Sequence, residues 1–123
     1  MMRDDLVRLT EITAAALSAA QAKSAALQRK ESALRQQLHD LARQRDTPVS
    51  VESAAERAGA TVRWQHWVDR RREEINTELA RVLALRDAAR ARLQRAFGKD
   101  QAMQELVKRL ERERQAARQK PRF

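Results

Sequence analysis

This chain contains no cysteine and no tyrosine, and only two glycines and two prolines in 123 residues. Without cysteine, disulfide staples and thiolate metal sites are excluded. Aromatic residues make up 3% of the chain, too few to furnish an ordinary globular core, so an elongated helical object is the economical reading. Groups able to do chemistry are equally sparse. His39 and His66 are the only histidines, His66 has no histidine or carboxylate at i+4, and neither a glycine-rich phosphate loop nor a nucleophile motif occurs. The expectation is a non-enzymatic protein with no metal and no cofactor. No stretch approaches the ~20 apolar residues that a membrane span needs, and polar residues punctuate Leu6 to Leu17. Neither membrane insertion nor a processed leader is expected.

What the chain does have is periodicity. An apolar residue stands at every seventh position from Val68 to Leu110, through Ile75, Val82, Ala89, Ala96 and Met103. At 42% apolar composition such a run would arise by chance in roughly one to two per cent of chains. A 3.5-residue repeat keeps one seam of a long helix turned toward a partner helix. Taking those positions as d, the a positions read Arg72, Leu79, Arg86, Leu93, Asp100 and Val107. Charges alternating with apolar residues in a seam cost stability but reject competing registers, which argues for one specific partner helix. In the first half, Leu6, Ala20, Leu27, Leu34 and Leu41 share a phase interrupted by Thr13, and Thr10, Leu17, Ser24, Glu31 and Leu38 fill the complementary positions. The small residues between Ala14 and Ala26 allow close approach while burying little area each.

Asp46-Thr47-Pro48 is the clearest break, because the residue before proline leaves the helical region and proline lacks a donor. Asp4 is the candidate N-cap of the first helix. Ser53-Ala-Ala-Glu56 has capping-box spacing, while Ser50 or Thr47 could equally cap a short helix ending near Gly59. The fold class that follows is all-α. It is a long two-helix antiparallel coiled-coil hairpin with a short connecting helix or loop and an overhanging carboxyl-terminal helix, forming one elongated domain over 1–123. Helix 1 is expected over about 4–45, the connection over 46–61, helix 2 over about 62–119 and a basic tail over 120–123. The seam is assigned to Leu27, Leu34, Leu41, Val68, Ile75, Leu79, Val82, Ala89, Leu93, Ala96, Met103 and Leu110. The arms differ in length, about 60 Å against about 87 Å at 1.5 Å per residue. Gln104 to Phe123 is therefore expected to overhang, and Gly98 to mark a soft point.

Trp64 and Trp67 stand three apart where the second helix is expected to begin. Either the connection folds back over both, or they form a partner-binding patch beside the arginines. Leu83 and Phe97 at e, with Leu85 and Leu106 at g, widen the apolar stripe. Core padding is the favoured reading there, docking of a second molecule the other. Glu73, Glu74 and Glu78 read as surface ion-pair partners rather than acid/base carboxylates.

The net charge of +9 implies a partner of negative potential. Nucleic acid is the obvious candidate, since phosphate neutralisation is strong and sequence-independent. The acids are interspersed, however, and no stacking platform or reader motif is present, so nucleic acid is not the favoured partner.

A short basic chain of two unequal helices, an Arg-Trp pair in Val62-Arg-Trp-Gln-His-Trp67, and a basic carboxyl-terminal tail resemble the FliJ family. These are the coiled-coil stalk proteins and chaperones of flagellar type III export, with YscO-type counterparts in injectisomes. The resemblance implies a non-enzymatic bacterial stalk for protein transport, coupling a hexameric export ATPase to the membrane export gate. It implies a cytoplasmic location, including the cytoplasmic face of the inner membrane. The ATPase-facing end would comprise Leu6, Leu9, Met103, Leu106, Arg109, Leu110, Arg112 and Arg114. The gate-facing tip would comprise Leu38, Leu41, Trp64, Trp67 and Val68. The alternatives are a structural coiled-coil adaptor that self-associates and a basic nucleic-acid-associated helical protein.

Overall fold

The computed structural model describes residues 2–45 and 53–119, and Ser53 aside every one of them is helical. The described residues form two helices, α1 (Met2–Arg45) and α2 (Ala54–Gln119), packed against each other as an all-α helical hairpin. Neither glycine nor proline interrupts α1, and its composition of alanine, leucine and long polar side chains is that of a good helix former. Asp4 and Asp5 lie in its first turn and Arg43 and Arg45 in its last, each sign placed to complement the helix dipole. Asp4 is thus inside the helix rather than its N-cap, because helical geometry already begins at Met2.

The start of α2 departs from expectation. Ser53 caps it: its hydroxyl accepts the Glu56 backbone N–H at 3.0 Å, and its carbonyl accepts that of Arg57 at 2.9 Å. This is the capping-box position, and it satisfies donors that a helix start leaves open. No separate short helix ends at Gly59, since α2 runs unbroken from Ala54 and no glycine among the described residues takes a positive φ. The second helix therefore starts about eight residues earlier than the expected Val62. Gly98 likewise sits inside continuous helix and is no break. The expected interruption at Pro48 and the tail over 120–123 lie outside the described residues.

The chain divides into two compact units. One is Ala26–Asp87 and the other combines Met1–Ala25 with Ala88–Phe123. In the Ala26–Asp87 unit Leu34, Leu41, Val68, Ile75, Leu79 and Val82 form one buried cluster, with Leu38, Trp64 and Leu83 packed against it, and Leu27 is buried as well. Val68 and Val82 are fully buried. Burying a side chain of this size contributes roughly 1.5–3 kcal/mol, so these few residues dominate the stability of their unit. In the other unit burial is shallower. Ala89 and Asp100 are its buried residues, and Leu6, Thr10, Thr13, Leu17, Ala20, Leu93, Ala96, Met103 and Leu110 are half-buried.

Along α1 the half-buried and buried positions recur in steps of three and four, as 6, 10, 13, 17, 20, 24, 27, 31, 34, 38 and 41. Along α2 the same stepping runs through 75, 79, 82, 86, 89, 93, 96, 100 and 103. All twelve residues assigned to the seam are buried or half-buried. The padding reading fails for three of its four residues, because Leu85, Phe97 and Leu106 are 47%, 53% and 38% exposed. Only Leu83 joins the core. Flanking positions of two packed helices are covered on one side alone, so a bulky e or g residue keeps much of its surface in water.

Candidate functional site

Three features of the described residues depart from simple packing. The first is a pair of polar layers. In the Ala26–Asp87 unit the Arg86 guanidinium reaches across to Glu31 at 2.8 Å, and Glu31 also accepts from Arg35 Nε at 3.0 Å. The Arg35 hydrogen bond holds the Glu31 carboxyl below the ordinary glutamate range; Arg86 adds to this, and burial opposes it. Arg86 Nε is buried without a partner. In the Met1–Ala25, Ala88–Phe123 unit, Asp100 is 5% exposed. Its two oxygens accept from Thr13 Oγ1 at 3.1 Å and Gln104 Nε2 at 2.9 Å. A buried carboxylate met by two neutral donors is satisfied without a counter-charge. The a-position charges were visible in the sequence, but their partners were not.

The second feature is a tryptophan shelf. Trp64 and Trp67 stack with ring centroids 5.2 Å apart and planes inclined by 16°. Trp64 is half-buried against the core, and its indole Nε1 donates to the Gln44 carbonyl at 3.1 Å, serving one of the orphan acceptors in the last turn of α1. Trp67 is 47% exposed. The connection expected to fold over the pair lies largely outside the described residues; Trp67 presents its ring to solvent beside Arg70, Arg71 and Glu74, which line a shallow recess with it. Of the other residues assigned to this tip, Leu38 is half-buried, whereas Leu41 at 7% and Val68 at 0% exposure are core and have no surface to offer a partner.

The third lies where the first turns of α1 meet the last part of α2. Met2, Leu6, Val7 and Thr10 line a groove of about 660 Å³ together with Val107, Leu110 and Arg114. Met2 and Val7 are 72% and 51% exposed. α1 therefore faces α2 as far along as Leu110 and Arg114, and Gln104 is not where an overhang begins. In the Ala26–Asp87 unit Arg45, at the end of α1, pairs with Asp69 at 3.2 Å, and in the other unit Thr13 meets Asp100 at 3.1 Å. Among the residues assigned to this end, Leu6, Met103 and Leu110 are half-buried. Leu9, Leu106, Arg109, Arg112 and Arg114 are exposed, with Arg114 4.0 Å from Glu111.

Of the three carboxylates read as surface ion-pair partners, Glu74 pairs with Arg71 at 3.1 Å and Glu78 with Lys30 at 3.2 Å and Arg81 at 3.3 Å, whereas Glu73 is exposed with no ion pair among the described residues. Among the described residues no group of three or more potential ligands could hold a metal ion, and no helix is long and apolar enough to cross a membrane.

The fold and these surfaces define an all-α helical hairpin with exposed apolar and aromatic patches. Comparison with protein-family models, curated proteins and solved structures finds no match.

Proposed function

We propose that the chain is a non-enzymatic stalk of the FliJ and YscO type, an antiparallel coiled-coil hairpin that couples a hexameric export ATPase to a membrane export gate from the cytoplasmic side. The observation that carries this reading is exposed recognition chemistry in each of the two units. In one it is the groove between the first turns of α1 and the segment Gln104–Arg114 of α2; in the other it is the exposed ring of Trp67. A coupling stalk needs two contact sites and no reaction centre of its own. The coiled-coil geometry is supported by the three- and four-residue stepping of burial. It is supported too by cross-helix pairs whose α1 number falls as the α2 number rises, from Arg45–Asp69 to Glu31–Arg86.

In this reading the groove, with Arg114 on its lining, and the exposed Leu9, Leu106, Arg109 and Arg112 of the same unit meet the ATPase, and Trp67 with the edge of Trp64 meets the gate. Beyond the groove the exposed run Gln115–Gln119, which includes Arg118, forms the carboxyl-terminal extension. The test is size-exclusion chromatography with light scattering, run with and without the candidate hexameric ATPase, beside titration of ATP hydrolysis. The stalk reading expects a monomer that joins the ATPase peak and changes its turnover. It also expects an Arg109→Glu, Arg112→Glu, Arg114→Glu variant to lose both effects while keeping its helical signal. No complex and unchanged hydrolysis overturn the reading.

A second reading, a self-associating adaptor, is favoured by one observation: Ile12 and Phe97 are 63% and 53% exposed. A stable dimer indifferent to the ATPase and persisting at 500 mM-scale salt, on the order of a 3–5 Å screening length, supports it.

A further inference from the structure

Charge is distributed unevenly in the unit formed by Met1–Ala25 and Ala88–Phe123. From Ile12 to Ala25 α1 has no acidic residue, and from Ala88 to Gln104 the only acid of α2 is Asp100, buried and held by Thr13 and Gln104. Lys23, Arg92, Arg95 and Lys99 are all exposed, and none has a hydrogen-bond or ion-pair partner among the described residues. In the Ala26–Asp87 unit Lys30, Arg35, Arg45, Arg71, Arg81 and Arg86 are each paired with a carboxylate, while Arg29, Arg63, Arg70 and Arg72 have no ion-pair partner among the described residues.

Lys23, Arg92, Arg95 and Lys99 share one flank, whereas Arg90, also exposed and without an ion-pair partner among the described residues, lies on the other. Arg92, Arg95 and Lys99 are spaced by three and four along α2 and so lie on one face. Arg92 borders the same groove, of about 580 Å³, as Lys23, Ala16 and Ala19 of α1. Continuing that face of α1 by the same spacing reaches Ile12 and Leu9, 63% and 46% exposed. One side of the flank is therefore a row of free cations and the other an exposed apolar row. The opposite flank differs, since Glu11, Lys108 and Glu111 around Val7 and Gln104 mix both signs.

We propose that this flank docks an amphipathic helix of a partner protein, one whose apolar stripe lies toward Leu9 and Ile12 and whose acidic residues run along a single edge toward Arg92, Arg95 and Lys99. Charge complementarity selects the acidic edge, and the exposed aliphatics select the helix. A nucleic acid would engage the cations but leave Leu9 and Ile12 in water, and the flank has no aromatic side chain on which a base could stack. A membrane surface would gain little from alanines, which bury almost no area on insertion. Helix-in-groove recognition uses both rows at once, with like-charged competitors rejected by the cations. The inference stands apart from the stalk reading, as these residues are not the ones assigned to the ATPase or the gate, apart from Leu9.

The test uses the full chain and a fluorescein-labelled helical peptide of about 20 residues, with leucines on one stripe, glutamates along one edge and alanine elsewhere, followed by anisotropy at low salt. Comparison probes are the same peptide with lysine for glutamate, a DNA duplex, and phosphatidylglycerol vesicles. The acidic peptide is expected to bind at about micromolar Kd. Binding should weaken about tenfold in an Arg92→Glu, Lys99→Glu variant and in Ile12→Asp, and stay unchanged in Arg90→Glu, which lies on the other flank. Circular dichroism verifies that each variant keeps its helices, and Lys23→Glu replaces any that does not. Absence of peptide binding, equal binding of the lysine peptide, no loss in the flank variants, or tighter binding of duplex or vesicles overturns the proposal. A flank variant that loses the peptide but still joins the ATPase separates this inference from the stalk reading.

Discussion

The guanidinium of Arg86 on α2 lies 2.8 Å from the carboxylate of Glu31 on α1, where the stepping of both helices would otherwise put two apolar side chains. An ion pair in such a position stabilises little over a hydrophobic pair, because desolvation offsets the attraction, but removing one partner strands the other. Replacing Glu31 by leucine alone should lower Tm, whereas Glu31→Leu with Arg86→Leu together should restore Tm to the wild-type value or above. Thermal circular dichroism of the four-member cycle checks this; a single variant as stable as wild type would show that the pair is energetically silent.

Acid should weaken the same layer. The Glu31 carboxyl is depressed below its ordinary range, so the folded state binds its proton less readily than the unfolded state. The stabilisation is fully present above the ordinary glutamate value of about 4.3 and is lost as pH falls through the depressed folded value. Between neutral pH and about pH 5, Glu31 contributes no slope. Below about pH 4 the wild type should lose stability more steeply than Glu31→Gln, measured as the difference between their urea midpoints at each pH. Parallel curves would refute the assignment.

The helix interior offers two positions for stabilisation. A Cβ built at Gly98 meets nothing within 4 Å, and one at Gly59 meets only Arg63 Nη1 at 3.5 Å, an ordinary contact. Gly98→Ala and Gly59→Ala should each raise stability by about 0.8–1 kcal/mol, the difference in helix propensity between the two residues. Chemical denaturation measures both, and a destabilising Gly98→Ala would mean that the unfolded-state argument does not govern this helix.

How much of this was legible in the chain follows from what each feature depends on. The seam was readable because burial at one position per helical step leaves its mark residue by residue: Val68, Ile75, Val82 and Ala89 were assigned on spacing and are buried. The start of α2 was not, because Thr47, Ser50 and Ser53 are all competent caps and Gly59 suits a helix end as well as a helix interior. The register depends on where the hairpin closes, and an error of several residues there moved the expected overhang to Gln104. Partners across the hairpin inherit that error. Glu31 and Arg86 each stood out as charges in a seam, yet only the register brings them together. The flank of free cations was hidden for a different reason, since net charge counts residues and not which of them find partners.

Asp100 offers the sharpest distinction between stability and specificity. It is 5% exposed and accepts from Thr13 and Gln104, and Thr13 has a second acceptor in the Thr10 carbonyl at 3.0 Å. Replacement by leucine therefore strands no hydroxyl while removing a desolvated carboxylate, and Asp100→Leu should raise stability by roughly 1 kcal/mol. Asp100→Asn keeps the shape and one acceptor and should change stability by less. If the carboxylate acts to hold one register against others, the leucine variant should gain Tm yet broaden in its distribution of species, because an uninterrupted apolar seam accepts shifted and intermolecular pairings equally well. Light scattering across a concentration series reads the second effect and thermal unfolding the first. A variant that gains stability and stays a single sharp species would assign Asp100 no part in register, and one that loses stability would mean that the bonds to Thr13 and Gln104 outweigh the desolvation they offset.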